Sequence, residues 1–235
     1  MVLLGTIANV LAVVIGSLIG LIFTKINESY KQTILQGIGL TVIVIGVQMA
    51  LETESIIIVL LSLLFGAIIG ETMKLEELVN KLAYKIAGTI TKGKSTTKVA
   101  QGFITASLIF VVGAMAILGA LDSGIRNDHG ILYTKAILDG FTAMVLTTTL
   151  GFGVVLSIIP LFLYQGTIAL LAAKINEVVP EIMLNAIIAE ITAVGGIMIM
   201  AIGLNILEVI KIRVTNLLPA LVVAVVLVYV QQHLL

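Results

Sequence analysis

The chain has 235 residues, of which 60% are hydrophobic and only 11% are charged. Soluble domains contain about 45–50% apolar and about 25% charged residues, so a water-soluble fold is excluded because too few polar residues remain to cover its surface. The formal net charge of zero gives no sign of a nucleic-acid partner, and the absence of cysteine excludes disulfides and cysteine-based metal sites. Long apolar segments recur, which predicts an all-α integral membrane protein.

Eight apolar segments are predicted to span the membrane. In chain order they cover residues 3–23, 34–51, 55–72, 101–121, 135–150, 153–173, 183–206 and 215–232. The fifth and sixth segments meet at Gly151 to Gly153 without a polar loop, so they could form one bent or re-entrant element and reduce the count to seven. Pro160 and Pro219 lie inside predicted spans, and proline inside a helix removes a backbone hydrogen bond, so a kink is expected at each.

Lysines are concentrated in the loops that follow the first and third predicted spans. The positive-inside rule places these loops in the cytoplasm and therefore places both termini outside. Within residues 73–100, apolar residues between Leu75 and Ile86 recur at helical spacing, with Lys81 and Lys85 on the opposite side. This pattern predicts a short amphipathic helix that lies on the inner leaflet.

Two similar decamers indicate an internal repeat: GLTVIVIGVQ at 39–48 and GIMIMAIGLN at 196–205. The tetrapeptide KINE also occurs twice, at 25–28 and 174–177. In the predicted topology the two decamers run in opposite directions, so spans 1–3 and 6–8 form a predicted inverted-topology repeat of the kind found in secondary transporters. The chain would then divide into a first repeat (1–72), a cytoplasmic Lys-rich amphipathic loop (73–100), an inserted hairpin of spans 4 and 5 (101–152) and a second repeat (153–235).

Glycines and amides mark particular positions in these spans. Glycine allows two helix backbones to approach closely, and the candidate packing or hinge glycines are Gly39, Gly46, Gly151, Gly153, Gly195, Gly196 and Gly203. Each decamer ends in an amide, Gln48 or Asn205, toward the end of its span. Both amides are candidate ligand-binding groups, although they could equally cap the helix ends or contact lipid headgroups.

Two carboxylates inside predicted spans are the main candidates for binding an ion or solute, because an acidic residue at this depth costs roughly 2.5–3.5 kcal/mol on insertion scales. Glu190 lies about two turns into the seventh span, followed by Thr192, and has no basic residue within helical reach. It is the leading candidate to bind a cation or carry a proton. Asp139 is four residues after Lys135, so the two could form a structural ion pair instead.

The segment TTLGFG at 148–153 follows a short helical stretch and resembles the filter of potassium channels. The acidic residue that usually follows the last glycine is replaced by Val154, so a glycine hinge between spans is the preferred interpretation. No nucleophile–base pair or metal-ligand cluster is apparent, so we predict no enzyme activity, no metal site and no cofactor.

Several sequence blocks resemble the bacterial YdfK/YqgA membrane proteins, also described as domain of unknown function 554. The blocks are GTIAN near the start, GLTVIVIG, GAIIGE at 66–71, VGAMAILGALDSGIRND, KAILDGFTAM, AVGGIMIMAIGLNIL and NLLPAL. The resemblance covers nearly the whole chain and implies a multi-span inner-membrane protein. It supplies no substrate.

Three functions stay open at this point. The preferred hypothesis is a small secondary transporter or permease whose partners are the lipid bilayer and an ion or small solute. The alternatives are an ion channel with a pore near Thr148 to Gly153, and a non-transporting membrane scaffold or sensor that signals through the Lys-rich loop. A homodimer is compatible with so small a chain, but nothing in the sequence fixes the number of subunits.

Overall fold

The computed structural model describes residues 1–23, 28–91 and 96–234, and these form ten α-helices and no strand. The helices are α1 (Leu4–Ile22), α2 (Glu28–Ala50), α3 (Ile56–Met73), α4 (Leu75–Thr91), α5 (Thr96–Val111), α6 (Ala114–Ile125), α7 (Gly130–Leu150), α8 (Ile158–Val178), α9 (Glu181–Ile206) and α10 (Pro219–Leu234). A 3-10 helix, Gly151–Ser157, joins α7 to α8, and another, Val214–Leu217, precedes α10. The predicted all-α fold is confirmed, and α4 is the predicted helix of the Lys-rich loop.

Six stretches of the described chain are long and apolar enough to cross a membrane, and a bent helix pair gives a seventh. They are Leu4–Ile22, Gln32–Ala50, Ile56–Met73, Gly130–Val178, Glu181–Ile206 and Val214–Gln232. The bent pair combines Thr97–Val111 with Ala114–Ile125, which meet at 61°. The predicted fourth span is therefore a broken helix.

The stretch Gly130–Val178 has 49 residues and doubles back on itself. As a straight helix it would extend roughly 73 Å, more than twice the thickness of the hydrocarbon core. Instead, Asp139 of α7 and Gln165 of α8 both accept hydrogen bonds from Nδ2 of Asn9, at 3.0 and 3.3 Å. The reversal occurs after Gly151, whose φ of 70° favours glycine. Counted as two antiparallel passes, α7 and α8 correspond to the predicted fifth and sixth spans.

Pro160 and Pro219 both lie at the start of an α-helix rather than in its interior. Pro219 is the first residue of α10, and Pro160 lies in the first turn of α8. The N–H groups of the first turn have no partner within a helix, so proline removes no hydrogen bond there.

The helices fall into two compact units. Unit 1 comprises Met1–Leu35, Leu82–Val111 and Met115–Val178, and unit 2 comprises Gln36–Lys81, Val112–Ala114 and Val179–Leu235. The predicted division into two repeats around an inserted hairpin stays a prediction. The first KINE segment lies largely outside the described residues.

In unit 1, α1 and α7 pack side by side in the same direction. Gly5 lies against Leu132, and further along both helices Gly16 lies against Gly140. A Cβ atom on Gly16 would be only 1.9 Å from the carbonyl oxygen of Gly140. The contact between these two backbones therefore depends on glycine, because any side chain would force the helices apart.

In unit 2, α2 and α9 pack in opposite directions through the glycines of the two decamers. A Cβ atom on Gly46 would be 2.6 Å from the carbonyl oxygen of Gly196, and one on Gly203 would be 2.8 Å from that of Gly39. In the alignment of the two decamers, Gly39 corresponds to Gly196 and Gly46 corresponds to Gly203. The two contacts are therefore equivalent, as a two-fold relation between the helices requires. This supports the predicted inverted repeat, which stays a prediction because the symmetry is seen only at this helix pair.

Candidate functional site

Unit 1 contains a cluster of four buried polar side chains, contributed by three apolar helices. Lys135 and Asp139 lie on α7, Asn9 on α1 and Gln165 on α8. The exposed fraction is 6% for each charged residue and zero for each amide. We refer to Asn9, Lys135, Asp139 and Gln165 as the polar cluster.

An ion pair forms the centre of the polar cluster. Nζ of Lys135 donates to Oδ2 of Asp139 at 2.6 Å, so the predicted i, i+4 pair is present. The same carboxylate oxygen accepts a hydrogen bond from Nδ2 of Asn9 at 3.0 Å. Burial of a charge is tolerated when an opposite charge and further hydrogen bonds compensate for lost hydration, and both are present here.

Local sequence explains how the four side chains meet. Lys135 and Asp139 are one helical turn apart and therefore share a face of α7. Asn9 lies between Gly5 and Gly16 on the face of α1 that packs on α7, where the glycines bring the backbones together. Gln165 joins the cluster because the chain reverses at Gly151.

Some polar atoms in this region have no hydrogen-bond partner among the described residues. In the polar cluster these are Oδ1 of Asn9 and Nε2 of Gln165. The hydroxyl groups of Thr6, Ser17 and Thr147, on α1 and α7, are buried in the same way. A buried polar group without a partner costs roughly 1–3 kcal/mol, so these atoms are available to a bound group or to another conformation.

Glu190 is buried in unit 2 and its carboxylate is occupied by the loop that precedes α3. Oε1 accepts the backbone N–H groups of Glu54 and Ser55, each at 2.9 Å, and Oε2 accepts the hydroxyl of Thr53 at 2.8 Å. These donors lie at the N-terminus of α3, where the helix dipole also favours a negative charge. The carboxylate therefore has stabilising partners without a basic residue, and the geometry favours a role in anchoring this loop.

The remaining predicted binding residues lie in unit 2 and do not form one site. Asn205 closes the segment after α9, because its Oδ1 accepts the N–H of Ile212 at 2.7 Å and its Nδ2 donates to the carbonyl of the same residue at 2.8 Å. Gln48 is exposed, and Thr192 is buried with no partner for its hydroxyl among the described residues.

The other predicted glycines are close-packing or break positions. A Cβ atom on Gly195 would be 1.9 Å from Cγ1 of Val112, and one on Gly153 would be 2.0 Å from the carbonyl oxygen of Val99. Gly151 begins the 3-10 helix between α7 and α8. Residues 151–157 therefore form the predicted glycine-containing break between the two passes.

A further polar group in unit 2 connects α3, α4 and the segment before α10. Glu71 contacts Arg213 and Asn216, and Oδ1 of Asn216 accepts the backbone N–H of Glu76 at 2.7 Å. Partial burial raises the pKa of Glu76 above its ordinary value, although the positive charges of Arg213 and Lys211 act in the opposite direction. These contacts fix the start of α4 next to the end of α3.

Comparison with known proteins identifies the family. The family described as "Protein of unknown function (DUF554)" matches residues 4–229. The chain belongs to this family. It is 35% identical over 231 residues to the "Uncharacterized membrane protein YdfK" of Bacillus subtilis (strain 168), with 96% of each chain covered. It is 31% identical over 225 residues to the "Uncharacterized protein YqgA" of Escherichia coli (strain K12), with 94% of each chain covered.

No solved structure matches this DUF554 protein. Its similarity to a membrane protein and its apolar helices show that it is a multi-pass membrane protein. The resemblance to the YdfK/YqgA proteins inferred from the sequence blocks is confirmed.

Sequence reasoning did not identify two members of the polar cluster of this DUF554 protein, Asn9 and Gln165. Each is an amide within an apolar segment, in TIANVLAV and LFLYQGTIAL. An amide in hydrocarbon needs a hydrogen-bond partner, so both positions carried a usable signal. The sequence could not show that they would meet Asp139, because that contact depends on how three distant helices pack.

Proposed function

We propose that this DUF554 protein is a small secondary transporter or permease of a bacterial inner membrane, with the polar cluster as its binding site for an ion or small solute. The supporting observation is a buried ion pair, hydrogen-bonded to amides, that leaves polar atoms unpartnered inside apolar helices. Ionisable residues within spans commonly mark the path of a substrate. For stability alone, apolar residues of similar volume would serve as well as a buried ion pair.

The helix geometry supports this proposal. The chain is interrupted between α7 and α8 and again in the bent pair of α5 and α6. Transporters place binding sites near interrupted helices and commonly contain inverted repeats, as the packing of α2 against α9 suggests here. We further propose that the Lys-rich segment faces the cytoplasm and that both termini lie outside.

The two alternatives fit less well. A channel filter needs backbone carbonyls that face a pore, whereas residues 151–157 form a 3-10 helix in which Gly153 packs tightly against Val99. In a non-transporting scaffold, Asp139 and Glu190 would each also have a partner, as observed. Asp139 pairs with Lys135, and Glu190 accepts a hydrogen bond from Thr53. The unpartnered atoms of Asn9 and Gln165 favour a transporter over a scaffold, because a purely structural core gains nothing from them.

The proposal is tested by flux through purified protein in liposomes. The variant is Lys135→Met/Asp139→Leu, which removes both charges and avoids leaving one buried alone. The matched control is Asp122→Asn/Arg126→Gln, because Asp122 and Arg126 form another i, i+4 pair in the same unit, with the Arg126 side chain 74% exposed.

We expect a cation, proton or small-solute flux above that of empty liposomes, absent in the first variant and retained in the control. Flux that survives loss of both charges would remove the polar cluster from the mechanism. No flux for any solute in the folded wild type would overturn transport and favour the scaffold or sensor.

A further inference from the structure

The hydrogen bonds of the polar cluster fix the orientation of both amides. A carboxylate only accepts, so Asn9 must direct its NH2 group toward Asp139. The second proton of this NH2 group is directed to Oε1 of Gln165, at 3.3 Å. Consequently the acceptor Oδ1 of Asn9 and the donor Nε2 of Gln165 have no hydrogen-bond partner among the described residues.

The charges of the polar cluster cancel. Lys135 and Asp139 are in contact, and the apolar helices α1, α7 and α8 carry no other charged residue from Leu4 to Ile22, from Gly130 to Leu150 or from Ile158 to Ala173. A cation that approached Asp139 would meet the ammonium group of Lys135, and an anion that approached Lys135 would meet the carboxylate. In a medium of low dielectric constant neither repulsion is screened, so an uncharged ligand is the best match.

We propose that the polar cluster binds a small uncharged solute that carries a hydrogen-bond donor and an acceptor on neighbouring groups, as a primary amide or urea does. Its donor bonds to Oδ1 of Asn9 and its acceptor receives a bond from Nε2 of Gln165. Both protein groups are fully buried and lack a partner among the described residues, so this ligand completes their hydrogen bonding. The inference rests on the proposed transport function and specifies the substrate class for the same site.

The test measures uptake of radiolabelled acetamide and urea into liposomes that contain the full chain. In parallel, a pH-sensitive dye and labelled sodium report proton and cation flux in the same preparation. The variant is Gln165→Met, which has a similar volume and removes the free donor. The matched control is Gln101→Met, the same change at an exposed amide on α5 of the same unit.

We expect saturable acetamide or urea uptake that Gln165→Met reduces about tenfold, since one hydrogen bond is worth roughly that factor. Gln101→Met should leave uptake unchanged. We also expect excess urea to inhibit acetamide uptake by the wild type, and excess N,N-dimethylacetamide not to inhibit it, because the dimethyl amide has no donor for Asn9. This competition needs no variant and holds even if Gln165→Met does not fold.

Three results would overturn the inference. Proton or sodium flux without amide uptake would leave the proposed transport function intact but make the substrate an ion. Amide uptake that is undiminished in folded Gln165→Met, or inhibited by the dimethyl amide, would place recognition elsewhere. The absence of any flux would overturn both the inference and the proposed function.

Discussion

The ion pair of the polar cluster leads to a prediction about stability that does not depend on the transported solute. Asp139→Leu leaves the ammonium group of Lys135 buried without its counter-charge, which costs about 3–5 kcal/mol. Lys135→Met should cost somewhat less, because Asp139 keeps its hydrogen bond from Asn9. The double variant removes both charges, and Asn9 still donates to Gln165, so its expected cost is only about 1–3 kcal/mol for one lost hydrogen bond.

The free energy of coupling between the two changes should therefore reach at least about 3 kcal/mol. Thermal unfolding in detergent, followed by far-UV circular dichroism, measures it, since the chain has no cysteine for thiol dyes and no tryptophan for fluorescence. By the scaling for domains of this size, Asp139→Leu should lower the unfolding midpoint by roughly 6–20 °C, and the double variant should recover about half of that loss.

The more exposed pair Asp122–Arg126, in which the side chains are 30% and 74% exposed, provides the control, and its double neutralisation should change stability by no more than about 1 kcal/mol. If the two single costs of Lys135 and Asp139 simply add in the double variant, the side chains do not act as a buried pair, and the reasoning about the polar cluster is refuted.

Three further predictions concern stability and use the same unfolding measurement. Glu190→Gln should destabilise the protein by about 2–3 kcal/mol, because the amide oxygen can accept only the two backbone N–H groups as neutral hydrogen bonds and the amide NH2 group cannot accept the hydroxyl of Thr53; an unchanged midpoint would contradict the anchoring role. Gly16→Ala should cost about 1–3 kcal/mol because its Cβ atom meets a carbonyl oxygen at 1.9 Å, whereas Gly37→Ala, with nothing within 4 Å, should be neutral or stabilise by up to about 1 kcal/mol; equal midpoints would refute the close contact. Burial raises the pKa of Glu76, so the carboxyl group of Glu76 binds a proton more tightly in the folded state than in the unfolded state. The resulting stabilisation of the folded state is complete below the ordinary pKa and is lost as pH rises through the raised value. Glu76→Gln should therefore flatten that decline between acidic and neutral pH, and an identical pH profile would contradict it.

The apolar segments were located from sequence because a helix that crosses a bilayer must be long and apolar, whatever it packs against. The break at Gly151 was predictable for a local reason, since glycine permits a backbone conformation with positive φ. The positions of the prolines within their helices were not predictable, because they depended on where each helix begins. A shift of a few residues moved Pro160 and Pro219 from helix interiors to first turns, where proline is tolerated.

The two carboxylates also differ in whether local sequence or the tertiary structure determines their partners. The pairing of Lys135 with Asp139 followed from their spacing on one helix. Glu190 was the leading candidate because it had no basic partner within helical reach, yet the donors that satisfy its carboxylate come from the distant residues Thr53, Glu54 and Ser55. Two of these donors are backbone N–H groups, which every sequence contains and no sequence pattern marks.

From the sequence alone, the chain is recognisable as a multi-span helical membrane protein of the DUF554 family, and the glycines that allow its helices to approach closely can be named. These properties depend on amino-acid composition, on the spacing of residues along a single helix and on similarity to related sequences. The folded chain adds what these signals do not contain: Asn9 and Gln165 join Asp139, and Glu190 anchors a loop. Such contacts join helices far apart in the chain, and in a membrane the partner of a buried polar group is chosen by helix packing, because lipid offers it none.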